Sequence, residues 1–318
     1  MKHYILGRVG QALLVLWLTY TAVFVFINLL PSDQIEILFD PAENLSSEAA
    51  NMIRSYYGLD RPLVVQYLDQ LWHAVRGDLG FSISTGIPVL TRIGSVAGNT
   101  LVLASSALAI AITISLTVAY ISSTTRSARL KGMLRAIPEL FSSIPTFWLG
   151  LVALHFFSIR LGLISIFPDG SLSSLMIAAL VLAIPVSAPI TQVLCASVEH
   201  ASRQGYATVA RAKGLSRSAV LLRHIAKNAA GPGITVVGLS IGSLFAGSVV
   251  TETVFGRIGL GGILLQAIGK QDIPLVQGMV VMTATIVVLV NLLVDLLYPL
   301  LDPRIATNRD ASNQIGAF

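Results

Sequence analysis

The chain has 318 residues, of which 54% are hydrophobic and only 12% carry a charge. Soluble domains carry about 25% charged residues, so this composition argues against a cytosolic enzyme, a disordered chain and a fibrous repeat. The mean hydropathy of +0.77 instead indicates a chain dissolved largely in lipid. The net charge is +5, and the single cysteine, Cys195, can form neither an internal disulfide nor a thiolate metal cage.

Six apolar runs are long enough to cross a membrane as helices, since a bilayer core about 30 Å thick requires about 20 residues. They cover approximately residues 9–30, 100–121, 137–159, 175–194, 234–254 and 274–298. Lys2 and Arg8 precede the first run as in a signal peptide, but no small-x-small cleavage site follows it, so we predict an uncleaved helix. The predicted fold is an all-α polytopic membrane protein with six transmembrane helices.

The distribution of Lys and Arg predicts the orientation of these helices. Fourteen of the 21 basic residues fall on the side that holds both termini, at the N-terminus, in the second-to-third and fourth-to-fifth connections and in the tail. Cytoplasmic loops carry the excess of Lys and Arg. We therefore predict a multi-pass membrane protein with both termini in the cytoplasm.

The segment 31–98 differs from the other connections, because it holds eight acidic and four basic residues. We predict an extracytoplasmic loop domain here, with an amphipathic helix that is capped near Asp60. The predicted divisions are a cytoplasmic N-terminus and first helix (1–30), this loop domain (31–98), a five-helix core (99–298) and a cytoplasmic tail (299–318).

A basic segment at about residues 203–228 is the main functional candidate. Gly214 can end a first helix with a positive φ, and Ser216 can cap a second one, so we predict two short helices around a turn. Binding to anionic lipid heads is the alternative interpretation. The small side chains of Ala207, Ala210 and Ala212 instead favour close packing against another protein surface, because lipid-surface helices bury larger residues.

This segment resembles the coupling loop of ABC importer permeases, and it is most similar to the dipeptide/oligopeptide/nickel branch. The resemblance rests on Ala-Arg-Ala-Lys-Gly-Leu-Ser (210–216), Leu-Leu-Arg-His (221–224) and Lys-Asn-Ala (227–229), and on motifs at 58–63, 76–82, 143–150, 252–261, 291–298 and 302–305. Two departures are Thr208-Val209-Ala210 in place of Glu-Ala-Ala, and Ile258 in place of a proline. They leave open which ATPase surface the loop fits.

The resemblance implies a type-1 importer permease of the cytoplasmic (inner) membrane of a bacterium. It also implies that this permease pairs with a second homologous permease, two ATPase subunits and an extracytoplasmic solute-binding protein. The residues that it implies for coupling are Tyr206, Ala210, Arg211, Ala212, Lys213, Gly214, Leu215, Ser216, Arg217, Leu222, Arg223 and His224. The chain has no G-x-x-x-x-G-K-[ST] phosphate-binding motif. We therefore expect a non-catalytic subunit without a cofactor of its own, and ATP and Mg²⁺ on the partner ATPases.

The remaining candidate residues each have a structural interpretation beside the functional one. Gly238, Gly242 and Ala246 form a small-residue face, which favours helix packing and suits a permease pair. Among the intramembrane acids, interfacial pairing is favoured for Glu139 and Asp295, whereas the role of Glu252 is left open. No catalytic constellation and no metal pair is visible, and we predict a buried structural role for His155, with metal binding in a nickel-type relative as the alternative.

The predicted function is therefore import of di- or oligopeptides, with import of nickel or a metal chelate as the alternative within the same class. A self-sufficient secondary carrier or channel is the rival of another class, but it predicts internal repeats and buried charges that are not evident. A membrane enzyme is a third class. The sequence does not identify the residues that contact the substrate.

Overall fold

The computed structural model of the protein describes residues 2–29, 60–165 and 170–301. The first part of the predicted loop domain and the tail motif at 302–305 lie outside the described residues, and so do the side chains of Glu139 and Asp295. The described helices are α1 (Lys2–Asn28), α2 (Leu63–Val75), α3 (Val89–Thr124), α4 (Ala128–Ser142), α5 (Thr146–Arg160), α6 (Leu172–Ser202), α7 (Gly205–Ala212), α8 (Arg217–Val254), α9 (Leu260–Gly269) and α10 (Ile273–Leu301). Throughout these ranges the only β-type pairing is one isolated bridge, between Phe81 and Pro88, which confirms the all-α prediction.

Among the described residues, five helices are long and apolar enough to cross a membrane: α1, α3, α6, α8 and α10. Helices α4 and α5 are bent by 97° at a short break, and they make a sixth span if the bent pair is counted as one. The predicted span over 137–159 therefore consists of two helices. Pro145 lies at the start of α5 with φ −60° and ψ 133°. It lacks an N–H group and disfavours the α conformation in the preceding residue, which accounts for the break.

Contacts divide the chain into two units. The first comprises residues 1–9, 100–257 and 289–318, and the second comprises residues 10–99 and 258–288. The core of the first unit is built largely from residues of α3 and α6, and it includes the alanines Ala107, Ala111 and Ala178, which are fully buried. Small residues allow helix axes to approach closely in a membrane, where apolar side chains alone give little drive for association.

Two glycines of α8 mark its closest approach to α6. A Cβ atom added at Gly233 would lie 2.6 Å from Cδ2 of Leu194, and one added at Gly247 would lie 2.6 Å from Cδ1 of Leu182. These positions are 14 residues apart, about four helical turns, so they lie on one face of α8. The two helices therefore pack closely along that face between Gly233 and Gly247.

In the second unit, α2 packs against α1 through Tyr67. The Tyr67 hydroxyl lies 2.7 Å from the Thr21 hydroxyl, and its ring is 5.3 Å from the ring of Phe24. The predicted cap at Asp60 is wrong, because the helix begins after Pro62, which makes no side-chain cap hydrogen bond. Proline fits this position because its φ is already fixed near the value that a helix start requires.

Asp272, which immediately precedes α10, is the most heavily hydrogen-bonded buried acid of the second unit. Its side chain is fully buried. It accepts hydrogen bonds from the Ser82 hydroxyl, from both the hydroxyl and the N–H of Ser84, and from the N–H groups of Ile83 and Leu275. The last of these makes Asp272 the N-cap of α10. One carboxylate thus fixes the start of a membrane helix and the loop at 82–84.

The pKa of Asp272 depends on two opposing effects. Burial raises it, but the hydrogen bonds from Ser82, Ser84 and Ile83 favour the charged form and hold the pKa below its ordinary value. A carboxyl with a lowered pKa in the folded state stabilises the protein above its ordinary pKa of about 4, and this contribution is lost as the pH falls through the lowered pKa.

We therefore expect Asp272→Asn to lower the thermal unfolding midpoint at pH 7, because an amide cannot match the charge-assisted bonds of a carboxylate. The difference from the parent protein should shrink as the pH falls below about 4, where the parent carboxyl becomes protonated. Unfolding scans of the purified protein from pH 7 to pH 3 test this. A midpoint difference that stays constant over that range would show that the charge of Asp272 contributes nothing.

Candidate coupling loop

The candidate segment, residues 203–228, forms an elbow at the end of α7. Gly214 has a φ of +82°, which side chains other than glycine adopt at a steric cost. The N–H of Gly214 donates to the Arg211 carbonyl (2.9 Å) and the N–H of Leu215 donates to the Ala210 carbonyl (3.3 Å). These two bonds form a Schellman motif, in which a glycine reverses the chain and satisfies the last carbonyls of the helix.

The second arm of the elbow begins at Ser216, as predicted. Its hydroxyl accepts a hydrogen bond from the N–H of Ala219 at 3.3 Å, so Ser216 caps α8. The prediction of a short second helix is wrong, however. The helix continues without a break from Arg217 to Val254 and includes one π-helical turn at Leu221–Ile225. The elbow is therefore the beginning of a membrane-spanning helix.

The small residues of α7 pack inside the chain. Ala207 and Ala210 are buried in a cluster that also contains Ala201 at the end of α6, and Val220 and Leu221 of α8. The prediction that Ala207 and Ala210 pack against another protein does not hold, because both pack α7 against its own chain. Ala212 and Gly214 remain exposed. This packing holds the elbow against the end of α6 and the start of α8.

The outer surface of the elbow combines apolar and basic side chains. Tyr206, Val209 and Leu222 are exposed over 40%, 55% and 64% of their surface. The other exposed candidates are Arg211, Ala212, Lys213, Gly214, Ser216, Arg217, Arg223 and His224, whereas Leu215 is half-buried. Val209 is not among the predicted coupling residues, since the sequence marks it only as a departure from the family pattern. Its branched side chain is exposed although that of the neighbouring Ala210 is buried, so Val209 belongs to the outer surface of the elbow.

Several basic residues of this region bond within the chain. Arg211 donates to the Ser202 carbonyl at 2.7 Å, and Arg217 donates to the Thr125 carbonyl at 3.1 Å. Glu199 of α6 pairs with Arg203 at 2.6 Å and with Arg135 of α4. Arg211 and Arg217 thus tie the elbow to α6 and to the end of α3. Lys213 and Arg223 remain better candidates for contact with a partner.

A cavity of about 230 Å³ lies beside the elbow. Its charged lining consists of Lys131, Arg135, Glu199, Arg211 and Arg217. Four cations and one carboxylate give this cavity a net positive charge, which would favour an anionic group. The elbow therefore borders a polar cavity as well as the buried cluster around Ala207 and Ala210.

The predicted small-residue face of α8 runs from the interior toward the surface. Gly238 is buried, Gly242 is half-buried and Ala246 is exposed. The close contacts with α6 are made instead at Gly233 and Gly247, which lie on another face. The prediction that Gly238, Gly242 and Ala246 contact a second permease stays a prediction.

The structure gives Glu252 a partner inside the chain. The side chain is 1% exposed, and its Oε1 accepts a hydrogen bond from the Thr100 hydroxyl at 2.6 Å. This bond joins the end of α8 to α3, so Glu252 has a structural role there. The expectation that His155 is buried is wrong, because His155 is exposed at the start of the π-helical turn of α5.

Comparison with known proteins places this geometry in a family. The sequence profile described as "binding-protein-dependent transport system inner membrane component" matches residues 111–307, which include the elbow and the whole of α8. The chain belongs to this family. The match confirms the resemblance inferred from the motifs, and it identifies the chain as a multi-pass inner-membrane permease subunit that works with other ABC transporter components.

Full-length relatives agree. A protein described as a peptide permease of Brucella suis biovar 1 is 34% identical over 316 residues, covering 96% of this chain and 99% of its own length. The dipeptide transport system permease protein of Escherichia coli K12 and the glutathione transport system permease protein of Escherichia coli O6:H1 are each 30% identical, with the same coverage. The permease therefore matches these relatives from end to end.

The turn of the elbow should depend on glycine at position 214. A β-branched residue forced into the left-handed region costs about 1–2 kcal/mol, so Gly214→Val should loosen the end of α7, whereas Gly214→Asn should be tolerated. Hydrogen exchange of residues 205–216 measures this. Gly205→Val is the matched control, because Gly205 has no positive φ and open space around its Cβ position. Equal exchange in the two valine variants would contradict the assignment.

Proposed function

We propose that this permease subunit imports di- or oligopeptides across the inner membrane, using ATP that is hydrolysed by separate subunits. The exposed surface of the elbow is the observation that supports this proposal most strongly. This surface offers exposed apolar side chains beside basic ones, a combination that suits a protein partner better than a lipid headgroup layer alone. The partners that we propose are two ATPase subunits, which hold ATP and Mg²⁺, a second homologous permease and an extracytoplasmic solute-binding protein.

Continuity between the elbow and α8 supports a mechanism for coupling. The ATPase pair, on closing, would displace the elbow through contacts with Tyr206 and Val209 of α7 and Leu222 of α8. Because the buried cluster around Ala207 and Ala210 packs α7 against α6 and α8, the displacement would pass into both helices. No flexible linker separates the elbow from α8 in the described chain. The spans would then rock between inward- and outward-open states, and the substrate would pass without chemical change.

The names of the relatives favour a peptide substrate over a nickel chelate. The three proteins compared above carry the names of peptide, dipeptide and glutathione systems. The geometry of α8 fits a paired permease, since Gly242 and Ala246 leave part of their small-residue face open to a neighbour. We also propose that both termini lie in the cytoplasm, because this places the elbow on the side where ATP is available.

The exposed surface of the elbow should be required for coupling. Val209→Glu places a carboxylate on that surface without disturbing the buried alanines, so substrate-stimulated ATP hydrolysis and peptide uptake should fall at least tenfold. The measurement uses the transporter reconstituted in proteoliposomes with its binding protein. Membrane levels of the variant should stay normal, because insertion does not depend on this contact.

Met133→Glu is the matched control. Met133 is 66% exposed on α4, outside the elbow, and the change is chemically similar. We expect this variant to keep its stimulated ATPase. Full activity of Val209→Glu, or equal loss in both variants at normal membrane levels, would contradict the role proposed for the elbow.

A further inference from the structure

Helix α2 presents its apolar side chains outward. Val64, Leu68, Trp72 and Val75 are exposed over 69%, 58%, 55% and 74% of their surface, whereas Gln66 is 8% exposed. A helix on the surface of a soluble domain shows the opposite arrangement, with its apolar side turned toward the core. The outward side of α2 therefore requires an apolar environment.

The exposed apolar residues form a stripe. At about 100° per residue, Val64, Leu68, Trp72 and Val75 lie within about 80° of one another around the helix axis. The polar residues Asp69 and His73 lie to one side of this stripe, where their side chains are 4.0 Å apart. A narrow apolar stripe flanked by charge is the pattern of a helix that lies in the plane of a membrane interface.

The contacts with α1 indicate a depth for α2. The candidate span of α1 runs from Ile5 to Asn28. Its 24 residues measure about 36 Å, which exceeds the hydrocarbon core of about 30 Å by about 3 Å at each end. Thr21, whose hydroxyl meets Tyr67, lies about 10 Å along the helix from Asn28. Tyr67 is thus about 7 Å inside the hydrocarbon boundary, within the 5–10 Å typical of interfacial helices.

A groove of about 390 Å³ runs between α1 and α2. Its lining includes Trp17, Phe24, Val25, Leu63, Val64 and Tyr67. Outside the groove, α1 also exposes Leu18 and Phe26, over 50% and 71% of their surface. Only 11% of the most apolar stretch of α1 is buried in the protein, so this surface faces lipid. Lipid is therefore the occupant that adjoins the groove.

We propose that α2 lies embedded in the leaflet at which α1 ends, and that the groove between α1 and α2 binds an acyl chain of a phospholipid. The guanidinium of Arg76 lies 4.2 Å above the ring of Trp72, at the end of the apolar stripe. Tryptophan is enriched at the membrane interface, and arginine binds phosphate with a planar fork of donors. Arg76 is placed to bind the lipid phosphate while the apolar stripe contacts the acyl chains.

Photo-cross-linking in native membranes tests what covers the stripe. Benzoylphenylalanine is introduced at position 68 or 75 of the full chain, and the cross-linked products are identified by mass spectrometry. We expect adducts with phospholipid at both positions, as at position 26 of α1, which serves as the positive control. Positions 69 and 73 are matched controls that should give no lipid adduct.

An adduct with another protein at positions 68 and 75, or with residues 30–59 of the same chain, would overturn the proposal. The absence of any adduct there, with a normal yield at position 26, would also overturn it, because water would then cover the stripe.

Occupancy of the groove requires a second measurement. Val64→Trp should fill part of the groove, and Val75→Trp makes the same change outside it. We expect native mass spectrometry of the detergent-purified chain to show at least threefold less retained phospholipid for Val64→Trp than for Val75→Trp. Equal retention in the two variants would show that the groove binds no lipid.

Discussion

The packing of α7 on the ends of α6 and α8 is the contact on which the functional account depends. Ala201, Ala207 and Ala210 are buried in one apolar cluster with Val220 and Leu221 of α8. This contact between the three helices derives its stability from close packing and from exclusion of water. Because the contact is tight, the exposed surface of the elbow cannot move far without moving the helices beneath it.

The same use of small residues continues along α8. Gly233 and Gly247 bring this helix so close to α6 that an added methyl group would collide with Leu194 or Leu182. The hydrogen bond between Thr100 and Glu252 then joins the far end of α8 to α3. A displacement at the elbow therefore reaches a helix that is held at its start, along its face and near its end. We propose that α8 carries such a displacement toward α3, as alternating access in a transporter requires.

Local features of the sequence predicted local features of the structure. The apolar runs predicted the spans, Gly214 and Ser216 predicted the turn, and the motifs predicted the family. Contacts between distant segments could not be predicted in this way. Asp272 accepts a hydrogen bond from Ser82, 190 residues earlier in the chain. The residues next to Asp272 in the sequence do not predict this contact. The burial of Ala207 and Ala210 and the exposure of His155 likewise depend on how helices pack, whereas the break at Pro145 has a local cause in the proline itself. For the coupling surface, the sequence predicted which segment forms it. The structure adds which residues of that segment are buried and which are exposed.

The most direct test of the account is to identify what this permease binds in its native membrane. The tagged chain would be purified in a mild detergent, and all associated proteins and ligands would be identified by mass spectrometry. The account predicts a second permease, ATPase subunits and a solute-binding protein that retains a peptide. A stable chain that co-purifies with no ATPase, and still moves solute when reconstituted alone into liposomes, would contradict it.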